Sequence, residues 1–396
     1  MIFDSIRMAT SKKANVKTNI LPHSKAKLDL YKSYLSEYLP ILGLSEFISV
    51  INIFDIFCGT GVYDDGNIGS PVIAANCILE YHSFCNTNHK RIKRTRLFIN
   101  DYDSEKVNNV KELISTRDIK NCDIEFFNLD ASLMFDKVYN KICSFDRSER
   151  NLVFIDPYGY SAINKQALYN ILSSRRSEII LFLPVAQMRR FTDEALTALD
   201  RKDYENLRKF IFDFFPKDSK IFTDEKVPIF EYIDELKNAF SFGEEFYTAS
   251  HYIQRDKVNY YALFFIGHHI YGLDKFIEAK WKNDTLGRGF NQSNGMGGLF
   301  GSTLEEYDKN LSLARLEVLT RELFEKSGVL NNRQLYEFTL KNQFRPSHMT
   351  QLLRQWKSDR KINIYSPNME LLDNVRGFAL DYDSYKGEAK YLFKKR

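Results

Sequence analysis

The sequence has few cysteines and little net charge, and it lacks long apolar runs. Its five cysteines include no C-x-x-C pair, which argues against a disulfide framework and against a cysteine-rich zinc site. The longest apolar stretches, residues 179–186 and 260–267, are far too short to cross a bilayer. Residues 1–17 lack the apolar core of a signal peptide. We therefore expect a soluble, cytoplasmic protein.

The charge balance excludes a strongly basic nucleic-acid-binding chain. The formal net charge is +4, with 44% hydrophobic and 27% charged residues among 396. These values are typical of a globular protein with two or three domains. A nucleic-acid-binding surface is compatible with them only as a local patch.

The most informative stretch is Asp55-Ile56-Phe57-Cys58-Gly59-Thr60-Gly61. It follows an apolar run and precedes Gly69-Ser70-Pro71, which is typical of a helix start. A strand that enters a glycine turn before a helix lets the backbone approach a ligand closely. An acidic residue beside small residues suits a nucleoside with a cationic amino-acid tail, so the stretch indicates an S-adenosylmethionine pocket. The other interpretation is a glycine turn in some other α/β protein.

Strands and helices alternate through the first two thirds of the chain, which predicts a mostly parallel sheet covered on both faces. A helix over 25–42 precedes it, and two strands, 245–254 and 258–266, form a closing hairpin of the kind found in class I methyltransferases. Residues 187–242 are predicted to be a helical insertion. The expected divisions are a flexible segment 1–22, a Rossmann-like domain 23–285 and a glycine-rich linker or loop 286–310.

Residues 311–396 are predicted to form a small C-terminal domain. Helices over 311–326, 332–341 and 347–359 precede two short strands, 362–365 and 377–380. Met349, Leu352, Leu353 and Trp356 share one face of the third helix. Three short helices followed by a β-ribbon favour a winged helix-turn-helix.

Several motifs together resemble the three-Cys-motif partner proteins. The resemblance is carried by His23-Ser24-Lys25-Ala26-Lys27-Leu28 with Tyr34-Leu35, by the glycine turn with Gly69-Ser70-Pro71, and by Phe154-Ile155-Asp156-Pro157-Tyr158-Gly159; it covers roughly residues 20–285. It implies a class I methyltransferase fold, S-adenosylmethionine as the cofactor and a separate partner protein with three cysteines. It also raises the chance that His23, Lys25 and Lys27 line the pocket rather than being solvated charges.

Acidic residues at successive strand ends are the predicted cofactor contacts. Asp55, Phe57, Gly59 and Gly61 would face the methionine end. Asp101 is placed to accept hydrogen bonds from the ribose hydroxyls, with Asp103 as competitor, and Asp130 could receive the adenine amino group. Helix N-caps would explain any one of these acids equally well.

Asp156, Pro157 and Tyr158 are the predicted catalytic residues. They resemble the D/N-P-P-Y/F motif of amino-methyltransferases, in which a carboxylate and a proline carbonyl accept hydrogen bonds from an exocyclic amine and an aromatic ring stacks on an extruded base. The second proline is missing here, so a proline-rigidified turn is the other interpretation. Tyr160 is an alternative stacking residue.

Nucleic-acid contacts are predicted in two places. Arg189 and Arg190 follow a strand end and could contact phosphate, although a plain surface pair explains them as well. In the third C-terminal helix, His348, Gln351, Arg354 and Lys357 project opposite the apolar stripe. No metal site is expected, because the histidines lack carboxylates at ligand spacing. The predicted function is nucleic-acid methylation, with a catalytically silent binding module as the alternative.

Overall fold

The computed structural model describes residues 19–223, 226–256, 258–284, 290–291 and 301–396, with the backbone alone at 290–291 and 301–312. Residues 1–18 of the predicted flexible segment therefore lie outside the described residues, as does most of the glycine-rich segment. Residues 301–310, predicted as linker, belong instead to a helix. No helix in the described part of the chain combines the length and apolar character needed to cross a bilayer.

A large sheet forms the centre of the N-terminal part. Its strands, in chain order, are β1 (Val50–Asp55), β2 (Arg94–Asn100), β3 (Cys122–Phe127), β4 (Glu149–Ile155), β5 (Ser177–Leu183), β6 (Tyr247–Gln254), β7 (Tyr260–Gly267) and β8 (Phe290–Asn291). They lie in the order β3-β2-β1-β4-β5-β7-β6-β8. Strands β1 to β5 pair in parallel, and β7 pairs antiparallel with both β5 and β6. The predicted parallel sheet with a closing hairpin is confirmed.

Helices cover both faces of the sheet. They are α1 (Pro22–Leu44), α2 (Ser70–Thr87), α3 (Ser104–Ser115), α4 (Ala131–Ser144), α5 (Lys165–Ser173), α6 (Val185–Arg190), α7 (Thr192–Thr197), α8 (Glu205–Phe214), α9 (Ile229–Ala239) and α10 (Ile270–Asn283). One apolar core packs α1, α2 and α10 on one face, and a second packs α4, α5 and α6–α9 on the other. Because both faces are covered, β1 is buried at every residue.

The C-terminal part follows as a smaller unit. Its elements are α11 (Gly301–Ser327), β9 (Val329–Asn331), α12 (Asn332–Lys341), α13 (Pro346–Ser358), β10 (Ile362–Tyr365), α14 (Tyr382–Lys386) and β11 (Leu392–Lys395). The three strands form an antiparallel sheet in the order β10-β11-β9. The prediction of a strand at 377–380 is wrong, because Ala379 has a left-handed φ of 52° that interrupts an extended run. The second long strand of the ribbon is β11 instead.

Gln343 joins this unit to the N-terminal part. Its side-chain oxygen accepts a hydrogen bond from the Ser250 backbone N–H at 2.8 Å and one from Lys280 Nζ at 3.2 Å. Its backbone carbonyl accepts one from Trp281 Nε1 at 2.8 Å. The apolar core around α1 also continues into the C-terminal unit. The two parts therefore share packing as well as polar contacts.

Candidate functional site

The turn after β1 contains two glycines in the left-handed backbone region. Gly59 has a φ of +61° and Gly61 a φ of +79°, where side chains with a Cβ are strained. A Cβ on Gly61 would also lie 2.9 Å from Val110 Cγ2, whereas a Cβ on Gly59 would meet no atom of the described residues within 4 Å. The Gly69 N–H donates to the Gly61 carbonyl at 2.7 Å and closes the turn against the start of α2. Open space therefore lies beside the backbone at Gly59.

Asn100 holds neighbouring strand ends together at this edge of the sheet. The side chain is buried, and its Nδ2 donates to the carbonyls of Ile56 and Leu129 at 3.0 and 3.1 Å. Its Oδ1 accepts from the Leu129 N–H at 3.0 Å. Because the carboxyl ends of parallel strands meet at one edge, this residue connects the segments that follow β1 and β3.

Asp55 is a fully buried carboxyl group, and neither of its oxygens has a hydrogen-bond partner at bonding distance among the described residues. Burial raises its pKa from 3.8 to about 7; the nearby Asp156 and Asp101 carboxylates raise it further, while the Ser70 hydroxyl and the Phe57 backbone N–H act in the opposite direction. A buried charge without a partner is costly. The position beneath the glycine turn is therefore one that a cation would stabilise.

Asp101 lies against the glycine turn. Its carboxylate accepts the Gly59 N–H at 3.1 Å and the Asp103 N–H at 3.0 Å. Lys106 Nζ lies 3.7 Å from the same carboxylate and donates to the Tyr158 hydroxyl at 2.6 Å. Burial opposes the charge of Lys106, but Tyr158 and the two aspartates outweigh burial and raise the Lys106 pKa. One lysine thus links the predicted ribose-binding acid to the predicted catalytic tyrosine.

Asp156 forms an ion pair with Lys27, whose side chain is only 7% exposed. Lys27 Nζ also lies over the Phe182 ring, 4.5 Å from its centroid. That ring stacks on Tyr261 at 5.2 Å, and Tyr261 stacks on His23 at 4.8 Å. The start of α1 therefore places Lys27 directly beside the end of β4, and His23 two stacked rings away against Tyr261 of β7.

His23 lies in this column as a neutral, buried imidazole. Burial lowers its pKa to about 4, and Arg255 and Lys27 contribute in the same direction. Its Nδ1 has no hydrogen-bond partner among the described residues. At neutral pH the ring is therefore uncharged and can take part in a hydrogen bond with a ligand.

Several other residues predicted to bind the cofactor lie in environments different from that of the Asp156–Lys27 pair. Lys25 is exposed and lines a different cavity with His251. Asp130 is exposed, and its Oδ1 accepts the Leu133 N–H at 3.1 Å as the N-cap of α4. Phe57 is half-buried against the core on the α4 side. Lys27 rather than Lys25 reaches the site.

The aromatic residues after β4 also differ in their placement. Tyr158 is 84% exposed at the edge of the site, whereas Tyr160 packs edge-on against Phe210 at 5.9 Å. Of the two predicted stacking residues, Tyr158 therefore has the exposed ring, with Lys106 Nζ 4.8 Å from its centroid. Pro157 between Asp156 and Tyr158 is buried.

The arginines after β5 have different environments. Arg189 is half-buried, and its Nε donates to the Val227 carbonyl at 2.5 Å. This hydrogen bond connects α6 to the segment that precedes α9. Arg190 is exposed and lies over the Phe191 ring at 5.1 Å. Only the second of the pair presents its guanidinium group to solvent.

The four residues predicted as contacts on α13 also fall into two groups. His348 packs edge-on against Trp281 at 4.3 Å, and Lys357 Nζ donates to the Asp373 carbonyl at 2.9 Å. Gln351 and Arg354 are exposed on the outer face. His348 therefore lies at the contact between the two parts of the protein, which the helical pattern alone does not reveal.

Lys106 and Asn100 are the site residues that the sequence reading missed. Asn100 directly precedes Asp101, so its position at a strand end was a usable signal. Lys106 lies within α3 and meets Tyr158 across 52 positions of sequence, and no local pattern marks such a contact.

Comparison with solved structures finds low-identity similarity to methyltransferases. An O-methyltransferase from Bacillus cereus in complex with SAH is 12% identical over 63% of this chain and 82% of its own, with a TM-score of 0.32. Loganic acid methyltransferase with SAH is 12% identical over 73% and 88%, with a TM-score of 0.29. The bifunctional kinase-methyltransferase WbdD is 11% identical over 61% of this chain, with a TM-score of 0.33, and the match spans only 39% of the WbdD chain. No family model and no curated protein sequence matches this chain.

Proposed function

We propose that this chain is an S-adenosylmethionine-dependent methyltransferase that acts on an amino group of a nucleic-acid base. The observation that carries the proposal is the convergence of the glycine turn, Asp55, Asp101 and Asp156 at the carboxyl edge of the parallel sheet. Ligands of open α/β sheets bind at this edge. The strand order and the antiparallel β7 agree with the class I methyltransferase fold that we predict from the sequence.

The residues present fit this cofactor. S-adenosylmethionine, when bound, supplies an electrophilic methyl group on a positively charged sulfur. The unpartnered carboxyl group of Asp55 favours such a cation nearby, and the open space at Gly59 gives a ligand access to the backbone. Asp101 is placed for the ribose hydroxyls. Asp130 stays the predicted acceptor for the adenine amino group, although its Oδ1 accepts the Leu133 N–H as the N-cap of α4.

Asp156 and Pro157 are suited to hold an amine acceptor. Lys27 Nζ donates a hydrogen bond to Oδ2 of Asp156. We assign the other carboxylate oxygen, Oδ1, and the Pro157 carbonyl as acceptors for the two hydrogens of an exocyclic amine. The exposed Tyr158 ring offers a stacking surface for the base. These residues orient the nitrogen, and proximity rather than acid–base chemistry supplies the rate.

The C-terminal unit supports nucleic acid as the substrate. We interpret its helix–strand–helix–helix–strand–helix–strand order, in which the short α14 lies between β10 and β11, as a winged-helix arrangement with α13 in the place of the recognition helix. Gln351 and Arg354 are exposed there and Arg190 is exposed after β5, so all three can reach phosphates or base edges.

A second candidate function is a silent methyltransferase-like module that works with a partner protein or nucleic acid. The ion pair between Lys27 and Asp156 favours this alternative, because it occupies part of the carboxylate that an enzyme would use. The resemblance to the three-Cys-motif partner proteins points the same way. A conserved fold does not require its usual activity.

Calorimetric titration with S-adenosylmethionine tests the cofactor assignment. We expect micromolar binding to the wild-type chain and its loss in Asp101→Ala. The matched control is Asp103→Ser, which keeps an N-cap on α3 and should bind normally. Absence of binding to folded wild-type protein would overturn the cofactor assignment.

Transfer of labelled methyl groups to DNA and RNA separates the two functions. An enzyme should lose transfer in Asp156→Ala and Lys27→Met, while Lys25→Met, an exposed lysine two residues away, should remain active. A silent module would show no transfer in any variant yet retain nucleic-acid binding. That binding should weaken in Arg354→Gln, with a salt dependence lower by about one phosphate contact, and remain unchanged in Lys326→Gln.

A further inference from the structure

A second cavity lies at the opposite, amino edge of the sheet. Its volume is about 740 Å³, within the range of about 300–1,000 Å³ that small-molecule sites occupy. Arg150 and Glu178, the second residues of β4 and β5, both line it. The seven residues of β5 rise by about 3.3 Å each, so this cavity is about 20 Å from the glycine-turn edge.

Positive charge predominates in the cavity wall. Five cations line it, Arg150, Arg175, Arg176, Lys275 and Lys386, against two acidic residues, Glu178 and the exposed Glu46. Arg175, Lys275 and Lys386 each form an ion pair with an acidic residue outside the cavity lining. Arg150 and Arg176 have no carboxylate within ion-pair distance in the described ranges, and their hydrogen bonds there go to backbone carbonyls.

Arg150 is the cation best placed to meet a ligand. It is half-buried, and only its Nη1 is used, in bonds of 2.9 Å to the carbonyls of Arg147 and Glu149. Its Nε and Nη2 have no bond within the described residues. Burial lowers the Arg150 pKa, which reflects a desolvated cation that an anion would stabilise. An arginine with two free donors can bind phosphate oxygens in a fork.

Glu178 does not neutralise this charge. Burial raises its pKa to about 7, although a hydrogen bond from Tyr34 at 2.5 Å and the charge of Arg150 act in the opposite direction. A Cβ on Gly272 would lie only 2.1 Å from its Oε1. The absence of a side chain at Gly272 therefore makes room for the Glu178 carboxyl group in the cavity wall. With a pKa of about 7, that group is only partly ionised at neutral pH.

His269 is held neutral beside Arg150. Its Nδ1 accepts the Tyr271 N–H at 3.2 Å, and its Nε2 lies 3.1 Å from the Tyr382 hydroxyl. Burial lowers its pKa, and the charges of Arg150, His268 and Lys386 lower it further. Arg150 and Lys386 thus place positive charge beside His269 in the same cavity.

Aromatic rings complete the lining. Tyr271 and Tyr382 stack on each other at 4.2 Å, and Tyr38 lies deeper in the wall. Phe47 is 85% exposed at the rim. An exposed phenylalanine next to a basic cavity offers a stacking surface for a planar ring on a charged ligand.

We propose that this cavity binds a small organic phosphate with an aromatic ring, of the size of a nucleoside monophosphate. Arg150 and Lys386 bind the phosphate, and Phe47 and the tyrosines contact the ring. The site is separate from the proposed cofactor turn and does not depend on methyl transfer.

Calorimetric titration of the full chain with adenosine 5′-monophosphate tests this proposal. We expect binding to the wild type, no binding of uncharged adenosine, and at least about tenfold weaker binding in Arg150→Gln, which corresponds to about 1.4 kcal/mol. Lys386→Gln tests the same site through an exposed side chain, in case the arginine variant fails to fold. Lys217→Gln, an exposed lysine after α8, is the matched control and should bind normally.

A competition experiment distinguishes this cavity from the glycine turn. Binding of the monophosphate should persist in Asp101→Ala and in saturating S-adenosylhomocysteine. Loss of binding in either case would place the nucleotide in the cofactor pocket and overturn the proposal. So would a lack of binding at millimolar concentration, or unchanged affinity in both cavity variants.

Discussion

Replacing Asp55 by Asn should stabilise the fold, and more so at alkaline than at acidic pH. The folded protein raises the pKa of this carboxyl group from 3.8 to about 7. Below pH 3.8 the group is protonated in both states and costs nothing electrostatically. As the pH rises, the unfolded chain loses the proton first, so unfolding becomes easier until the folded state also ionises near pH 7. Asparagine has a similar shape and removes this titration.

The size of the effect follows from the shift. About three pKa units at roughly 1.4 kcal/mol each give about 4 kcal/mol against the folded state above pH 7. At about pH 5.5 only the unfolded chain is ionised, and the same relation gives roughly 2 kcal/mol. The stability difference between Asp55→Asn and the wild type should therefore grow by about 2 kcal/mol between about pH 5.5 and about pH 8.5.

Urea unfolding of both proteins at these two pH values measures the difference. Any constant effect of the new amide cancels, as does the titration of Glu178, which both proteins contain. A difference that does not change with pH would refute the argument that Asp55 titrates near neutrality. The same variant should bind S-adenosylmethionine more weakly and S-adenosylhomocysteine almost normally, because the latter lacks the positive charge on sulfur.

Three further outcomes are expected from other parts of the molecule. Gly272→Ala should destabilise the protein, because the new Cβ would lie 2.1 Å from Glu178 Oε1, and this clash outweighs the preference of alanine over glycine in helices of about 1 kcal/mol. Thermal unfolding should show the loss of stability, and adding Glu178→Ala should restore most of that stability. Gln343→Ala should cost about 1–3 kcal/mol because it leaves the buried ammonium group of Lys280 without its acceptor, and proteolysis between the two parts should then accelerate. Among the cysteines, Cys143 is the exposed one and should react with a thiol reagent first; faster reaction of a buried thiol would contradict the packing.

Local patterns were sufficient to predict the sheet and its edge. Buried parallel strands are continuous apolar runs, and turns and caps separate them from the helices, so the order of elements and the meeting of strand ends follow from sequence. Asp55, Asp101 and Asp156 come together for this reason. The second strand of the C-terminal ribbon was less predictable, because Phe378 and Leu380 lie in a loop but are buried in the alternating pattern of a strand.

The helical spacing in α1 contains a signal that distinguishes Lys27 from Lys25. His23, Lys27, Tyr31 and Tyr34 follow one another at intervals of three or four residues and therefore share a helix face. All four are buried, whereas Lys25 falls on the other side. Helical spacing from the tyrosines therefore predicts the lysine that enters the site. The contacts of Lys106 with Tyr158 and of His348 with Trp281 depend on tertiary packing and have no such local signal.

Helix α1 connects the two edges of the sheet. Its 23 residues rise by about 1.5 Å each and span about 35 Å. The start of the helix supplies His23 and Lys27 to the Asp156 site, and a later turn supplies Tyr34 and Tyr38 to the basic cavity. Between them Tyr31 stacks on Phe154 of β4 at 4.1 Å, which sets the position of the helix along the sheet. The same buried face that stabilises α1 therefore also positions side chains at both proposed binding sites.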